Sequence, residues 1–113
     1  MEAMVQPILR GTLDTLVLKA LTWRPMHGFE ITDWLEQSAG GELEILDSAL
    51  YQALYRLEER RLIKAEWGIS ANNRRARFYE LTAAGRASLK AATANWLRYA
   101  GTVSRILTAT PPR

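Results

Sequence analysis

Residues 47–61, DSALYQALYRLEERR, contain the clearest structural pattern in the chain. Within it, Leu50, Leu54 and Leu57 recur at i, i+4 and i+7, the spacing that places apolar side chains on one helix face. Asp47 or Ser48 is a suitable N-cap, because its side-chain oxygen can accept from the free N–H groups of the first turn. The stretch therefore predicts an amphipathic helix whose leucine stripe packs on a core.

The opposite face of this helix has an unusual composition for a solvated surface. It presents Ser48, Tyr51, Gln52, Tyr55 and Arg56. An ordinary exposed face carries Lys and Glu at i,i+4 spacing, whereas aromatic and long hydrogen-bonding groups suit a surface that meets the phosphates and base edges of DNA. The alternative is an ordinary amphipathic helix whose tyrosines are incidental.

The residues after the helix predict a β-hairpin. Apolar and small side chains alternate with more polar ones over residues 63–69, which is the period of a half-buried strand, and 77–81 is a returning strand rich in aromatics. The turn between them contains Asn72-Asn73, a residue type that tolerates positive φ, and carries Arg74 and Arg75 at its tip. A helix, a strand, a basic turn and a second strand form the plan of a winged helix-turn-helix. A solvated basic loop is the alternative for the turn.

Four stretches in register resemble the PadR-type transcriptional regulators, over residues 9–89. They are GTLDTLVLKAL at 11–21, MHGFEI at 26–31, LYQALYRLE at 50–58 and RFYELTAAG at 77–85. The resemblance implies a winged helix-turn-helix that regulates transcription, usually as a repressor relieved by a ligand or signal. One position departs from the family, because Arg61 stands where Gly is usual. A left-handed Arg there costs about 1 kcal/mol, so we expect this helix to end in a different way.

Two helices are predicted before the central one. Leu13, Leu16, Val17, Ala20 and Leu21 have helical spacing, with Thr12 as the expected N-cap. The second helix covers residues 27–37 and stops at Gly40-Gly41. His27 is the only histidine, so we expect it to cap the helix or contact a phosphate rather than catalyse. Residues 42–46 could form a short strand that pairs with the wing.

The last helix, capped by Thr82, carries a heptad seam. Its members are Leu89, Ala92, Trp96, Tyr99, Val103 and Ile106, spaced 3, 4, 3, 4 and 3 residues apart. A seam of this length predicts a homodimer; the alternative is that the helix packs back on its own domain. Trp96 is bulky for a two-helix seam and could leave a flat apolar gap, and the family resemblance implies a small planar aromatic effector there. The alternative is that Trp96 fills the interface or packs on the core.

Composition and charge restrict the classes of protein that remain. The chain of 113 residues predicts one domain, with a basic excess concentrated in residues 56–77, which hold seven basic and three acidic side chains. Chance clustering is the alternative. No cysteine, no N-terminal signal sequence and no apolar run of about 20 residues is present, so we predict a cytoplasmic protein without a membrane segment.

We therefore predict a mainly α fold with a small β-hairpin wing (α+β). Residues 1–10 are an N-terminal arm, 11–81 a winged helix-turn-helix, 82–107 a dimerisation helix and 108–113 a disordered tail. The predicted contacts with double-stranded DNA are Ser48, Tyr51, Gln52, Tyr55, Arg56, Asn73, Arg74, Arg75 and Arg77. Neither a cofactor nor a metal nor a catalytic group is expected, since one His and no Cys provide no catalytic set. A winged-helix module that binds another protein is the alternative function.

Overall fold

The computed structural model describes residues 10–113 as four helices and one β-hairpin. In chain order the elements are α1 (Arg10–Ala20), α2 (Gly28–Ser38), α3 (Asp47–Glu59), β1 (Ile63–Ile69), β2 (Arg75–Leu81) and α4 (Ala83–Leu107). The mainly α fold with a small wing is confirmed. The predicted arm lies outside the described residues except for Arg10, which begins α1. The prediction of Thr12 as N-cap was wrong, because the helix begins two residues before it.

One hydrophobic core joins α1, α2, α3 and the base of the hairpin. Leu13 and Val17 of α1 meet Ile31 of α2 and the leucine stripe of α3, and all of these side chains are almost completely buried. Each such side chain contributes about 1.5–3 kcal/mol through the apolar surface that it removes from water. The leucine spacing seen in the sequence therefore fixes which face of α3 points inward, and so which face is left for a partner.

The two ends of α3 differ from their predictions. Leu46 is the N-cap residue and makes no side-chain cap, and Asp47 is already helical, where its charge favours the positive first turn. At the other end Arg61 keeps the left-handed conformation, with φ of 59°. The N–H of Leu62 donates to the carbonyl of Leu57 at 3.0 Å, and Leu62 is buried. These two contacts hold the helix end in a Schellman motif despite the strain at Arg61.

The wing is a two-stranded antiparallel sheet whose register runs from Ile63 opposite Leu81 to Ile69 opposite Arg75. Its turn contains Asn73 with φ of 58°, as the sequence predicted for this pair of asparagines. Strand β2 begins at residue 75, two residues earlier than predicted, so Arg75 belongs to the strand rather than to the tip. Residues 42–46 do not pair with the wing; Met26 bridges Tyr79 there instead.

Helix α4 leaves the body of the domain after its first turns. The Thr82 side chain accepts from the N–H of Gly85 at 3.0 Å, which confirms the predicted cap. Gly85 is required there, because a Cβ would collide with the carbonyl oxygen of Leu62. The helix then runs outward, and the radius of gyration of 16.5 Å exceeds the roughly 13 Å expected for a compact chain of this size. None of the described helices is long and apolar enough to cross a membrane.

Candidate nucleic-acid interface

The face of α3 that points away from the core is open to solvent. Ser48, Tyr51, Gln52 and Tyr55 are all exposed on it, where the sequence placed them. The Tyr55 hydroxyl donates to Glu59 at 3.2 Å, and this hydrogen bond, together with the negative charge of Glu59, raises the pKa of Tyr55. The Tyr55 hydroxyl proton is therefore engaged by Glu59 in the free protein. The Gln52 amide makes no hydrogen bond with a described residue and is free for a partner.

Tyr51 lies against the amino end of α2, a contact that the sequence did not reveal. A Cβ at Gly28 would lie 2.6 Å from the Tyr51 hydroxyl oxygen, so glycine is the residue that lets the ring approach. The first N–H groups of a helix have no partners within the helix and attract anions. Tyr51 thus joins the exposed face of α3 to a helix end that favours phosphate.

Arg56, the fifth residue predicted for the exposed face of α3, is paired with a residue of α1. Its Nη2 and Nε atoms donate to the Asp14 carboxylate of α1 at 2.6 and 3.2 Å. The two side chains are only 20% and 16% exposed, and the hydrogen bond to Asp14 raises the pKa of Arg56. The sequence placed Arg56 in the exposed patch of α3, but the residue is half-buried against Asp14, because the spacing that defines a helix face contains no information about α1, 42 residues earlier. Its contact with DNA stays a prediction.

The arginines of the wing have three different environments. Arg77 donates to Glu58 of α3 at 2.8 Å and so ties the wing to the central helix. Arg75 lies over the Trp67 ring, with its guanidinium carbon 4.5 Å from the ring centroid. Arg74 is exposed at the tip beside Asn73, and its side chain makes no ion pair or ring contact within residues 10–113. The basic patch is therefore real but partly neutralised by the protein itself.

His27 caps α2, which confirms one of the two roles predicted for it. Its Nδ1 accepts from the N–H of Glu30 at 3.4 Å, and the Glu30 carboxylate accepts from the N–H of His27 at 3.3 Å. Burial raises the pKa of Glu30, but the hydrogen bonds from Arg24 and His27 outweigh it and hold the pKa below the ordinary value. This capping box fixes the end of α2 that lies beside Tyr51.

A second open surface is the apolar groove between α1 and α4, with a volume of about 1140 Å³. Of the six predicted seam residues, Leu89 is buried, Ala92 and Val103 are half-buried, and Trp96, Tyr99 and Ile106 are exposed. The exposed Leu97 also lines the groove, although the heptad spacing omitted it. No group of three or more metal-ligating side chains occurs within residues 10–113.

Two further exposed residues, Trp67 and Ile69, were missed as surface features. The alternation along β1 predicted that they share the inward face of Ile63, and they do. The strand extends beyond the body of the domain, however, so its distal half has no core to cover. The alternation of apolar and polar residues gave no signal of this.

The fold and the surface define a winged helix-turn-helix protein of the DNA-binding class. The sequence profile described as "Transcriptional regulator PadR-like family" matches residues 17–91. The chain belongs to this family and is a DNA-binding transcriptional regulator. The resemblance of the four sequence stretches is thereby confirmed.

Three solved structures and one relative show how far the similarity extends. A PadR family transcriptional regulator of Eggerthella lenta is 28% identical, with a TM-score of 0.76 over 89% of this chain and 86% of that one. A transcriptional regulator of Clostridium thermocellum is 26% identical, with a TM-score of 0.77 over 85% and 90%. A protein of Streptococcus mutans shares the fold, at 23% identity and a TM-score of 0.83 over 97% and 99%. An uncharacterized protein of Lysinibacillus sphaericus is 27% identical over 89 residues, 79% of this chain and 82% of its own.

Proposed function

We propose that the protein is a homodimeric repressor that binds a two-fold symmetric DNA site and acts by occupying it. The observation that carries this proposal is the solvent-exposed face of α3, where Gln52 has no partner within the described chain and stands between two exposed tyrosines. A helix of this kind fits the major groove, in which each base pair presents a distinct pattern of donors and acceptors. Such a protein needs no cofactor in order to bind.

The proposed contacts divide between the helix and the wing. Gln52 can make two hydrogen bonds to adenine, while Ser48 and Tyr51 donate to phosphates at the groove walls. Tyr55 can do the same once its hydroxyl exchanges Glu59 for a phosphate. Asn73, Arg74 and Arg75 are contacts of the wing, and Arg77 is held nearby by Glu58. Arg56 supports α3 through Asp14 instead of reading a base.

Titrations of two variants test this division. Gln52→Ala should relax the preference at one position of each half-site by about 1–3 kcal/mol. Arg74→Ala should weaken binding to all sequences about equally and lower the salt slope by about one for each lost contact. Arg98→Ala, which removes a charge from the exposed surface of α4, is the matched control. If Arg74→Ala alters the sequence preference and Gln52→Ala does not, the two elements have been assigned the wrong way round.

The dimer is proposed to form along the groove of α1 and α4. Trp96 and Tyr99 are exposed in the groove, and Ile106 is exposed further along α4; exposed apolar surface of this kind marks an interaction site. Val103→Asp should place a charge in the interface and shift the protein towards monomer in sedimentation. The control Thr102→Asp adds the same charge at an exposed position beside the seam. Two variants that sediment alike would contradict the placement of the interface.

An effector site near Trp96 is proposed for the same groove. Trp96 and Tyr99 lie with ring centroids 6.3 Å apart, which gives two aromatic walls against which a small planar molecule can pack. A planar aromatic compound should quench the tryptophan emission of the wild type. Because three other tryptophans also emit, the decisive comparison is with Trp96→Leu, where the quenching should be lost. Equal quenching in the two proteins would exclude Trp96 from the site.

A further inference from the structure

Trp67 and Ile69 form an exposed apolar patch on the wing. The proposed DNA contacts of α3 and the wing do not explain why these two side chains are exposed. Their side chains are 59% and 64% exposed. Both lie on the sheet face that carries Ile63 into the core, because alternate residues of a strand share a face. Arg77, opposite Trp67, lies on this face too and reaches Glu58 of α3. The apolar patch is therefore turned to the side of α3.

Trp67 holds the guanidinium of Arg75. The two residues are diagonal neighbours on adjacent strands, and the guanidinium carbon lies 4.5 Å from the centroid of the Trp67 ring. This cation–π contact covers one side of the guanidinium, and its N–H groups make no hydrogen bond within the described chain. Arg75 is thus oriented by a platform, whereas the neighbouring Arg74 has none within the described chain.

The rest of the wing makes this arrangement rigid. The N–H of Ser70 donates to the carbonyl of Arg74 at 2.8 Å, and the N–H of Asn73 donates to the carbonyl of Ser70 at 2.9 Å. On the opposite sheet face Phe78 lies over Gly68, where a Cβ would be 3.0 Å from its ring. One face of the distal wing is therefore closed, and the Trp67 face is the open one.

We infer that Trp67 positions Arg75 in the minor groove beside the half-site and makes the protein prefer A·T pairs there. This inference rests on the proposed function. A cation on an apolar support fits a narrow minor groove, where sugars line the walls and the negative potential of A·T tracts attracts arginine. The N2 amino group of guanine would obstruct it. If Arg75 contacted only phosphates, an unsupported charge such as Arg74 would be sufficient. The exposed indole of Trp67 would then have no role.

The experiment uses DNA duplexes that contain the same two half-sites and differ only in the base pairs that flank them. The half-sites are first identified by selection from random DNA with the full chain. The flanks are A·T, G·C or inosine·cytosine, since an inosine·cytosine pair has the minor-groove groups of A·T and the major-groove groups of G·C. The wild type should bind duplexes with A·T or inosine·cytosine flanks at least about fivefold more tightly than those with G·C flanks. This factor corresponds to about 1 kcal/mol, the lower end of the cost of one unfavourable base pair.

The variants separate the platform from the charge. Trp67→Ala and Arg75→Ala should both lose the flank preference while they keep the half-site preference, and Trp67→Phe should retain part of it because a ring remains. The control Arg74→Ala should weaken binding equally on all three flanks. Inosine·cytosine flanks that bind like G·C, a wild type indifferent to the flanks, or an unchanged preference in Trp67→Ala would each overturn the inference. A wild type that selects no sequence at all would instead remove the proposed function.

Discussion

The ion pair between Asp14 and Arg56 should couple α1 to the DNA-binding helix, and its strength can be worked out from its burial. About four-fifths of each side chain is removed from water, and both hydrogen bonds of the bidentate pair are formed. Loss of one partner of a fully buried pair costs about 3–5 kcal/mol, whereas a surface pair contributes about 0–1 kcal/mol. The pair lies between these limits, so Asp14→Asn and Arg56→Ala should each lower the free energy of unfolding by about 2 kcal/mol.

Denaturant unfolding of the two single variants and the double variant gives the coupling energy directly. We expect about 1 kcal/mol or more, because residues in direct contact depart from additivity. The matched control is the pair Arg24–Glu30, which is equally short at 2.7 Å but has its arginine 57% exposed. Its coupling should be smaller and should fall further in high salt. A coupling for Asp14–Arg56 that is no larger than this control would show that burial does not strengthen the pair.

DNA binding by the same variants distinguishes support from direct contact. If Arg56 supports α3, both substitutions should weaken binding to a similar extent and leave the base preference intact. If Arg56 reads a base, Asp14→Asn should release it and preserve or improve affinity, while Arg56→Ala relaxes the preference.

Three further predictions concern stability and can be measured by denaturant unfolding. Arg61→Gly should raise the free energy of unfolding by about 0.5–1 kcal/mol, since Gly relieves the left-handed conformation at φ of 59°; no gain would contradict the strain. Gly85→Ala should lower the free energy of unfolding by about 1–3 kcal/mol or more, because the added methyl group would collide with the carbonyl oxygen of Leu62. The control is Ala84→Gly, one residue earlier on the exposed side of α4. Glu30→Gln should cost about 0.5–1 kcal/mol at pH 7. Because the folded pKa of Glu30 lies below its ordinary value of 4.5, this difference should disappear as the pH falls below 4.5, and a difference that is constant with pH would exclude the charge.

The sequence predicted the elements because periodicity records which side chains face a common core. Leu50, Leu54 and Leu57 are buried, and Tyr51 and Gln52 on the same helix are exposed, as their spacing required. The order of helix, strand, turn and strand was likewise a local property.

Contacts between distant parts of the chain were not predictable in this way. The pairing of Arg56 with Asp14 depends on the packing of α1 against α3, which spacing along one helix does not encode. The exposure of Trp67 depends on how far the wing extends beyond the body, although its place in the strand alternation was correct. Arg61 shows a third limit: intrinsic preference disfavoured its conformation, but the hydrogen bond and burial of Leu62 outweigh about 1 kcal/mol of local strain.

Selection of bound DNA from a random pool, with the purified wild type and with Gln52→Ala, tests whether the exposed face of α3 reads DNA. We expect an inverted repeat whose half-site centres are about 10 base pairs apart, or a multiple of this spacing, since two copies of α3 must enter successive major grooves on one side of the duplex. In the Gln52→Ala selection one position of each half-site should lose its preference. Recovery of no common sequence, or of the same preference with and without Gln52, would contradict the claim that the exposed face of α3 reads DNA.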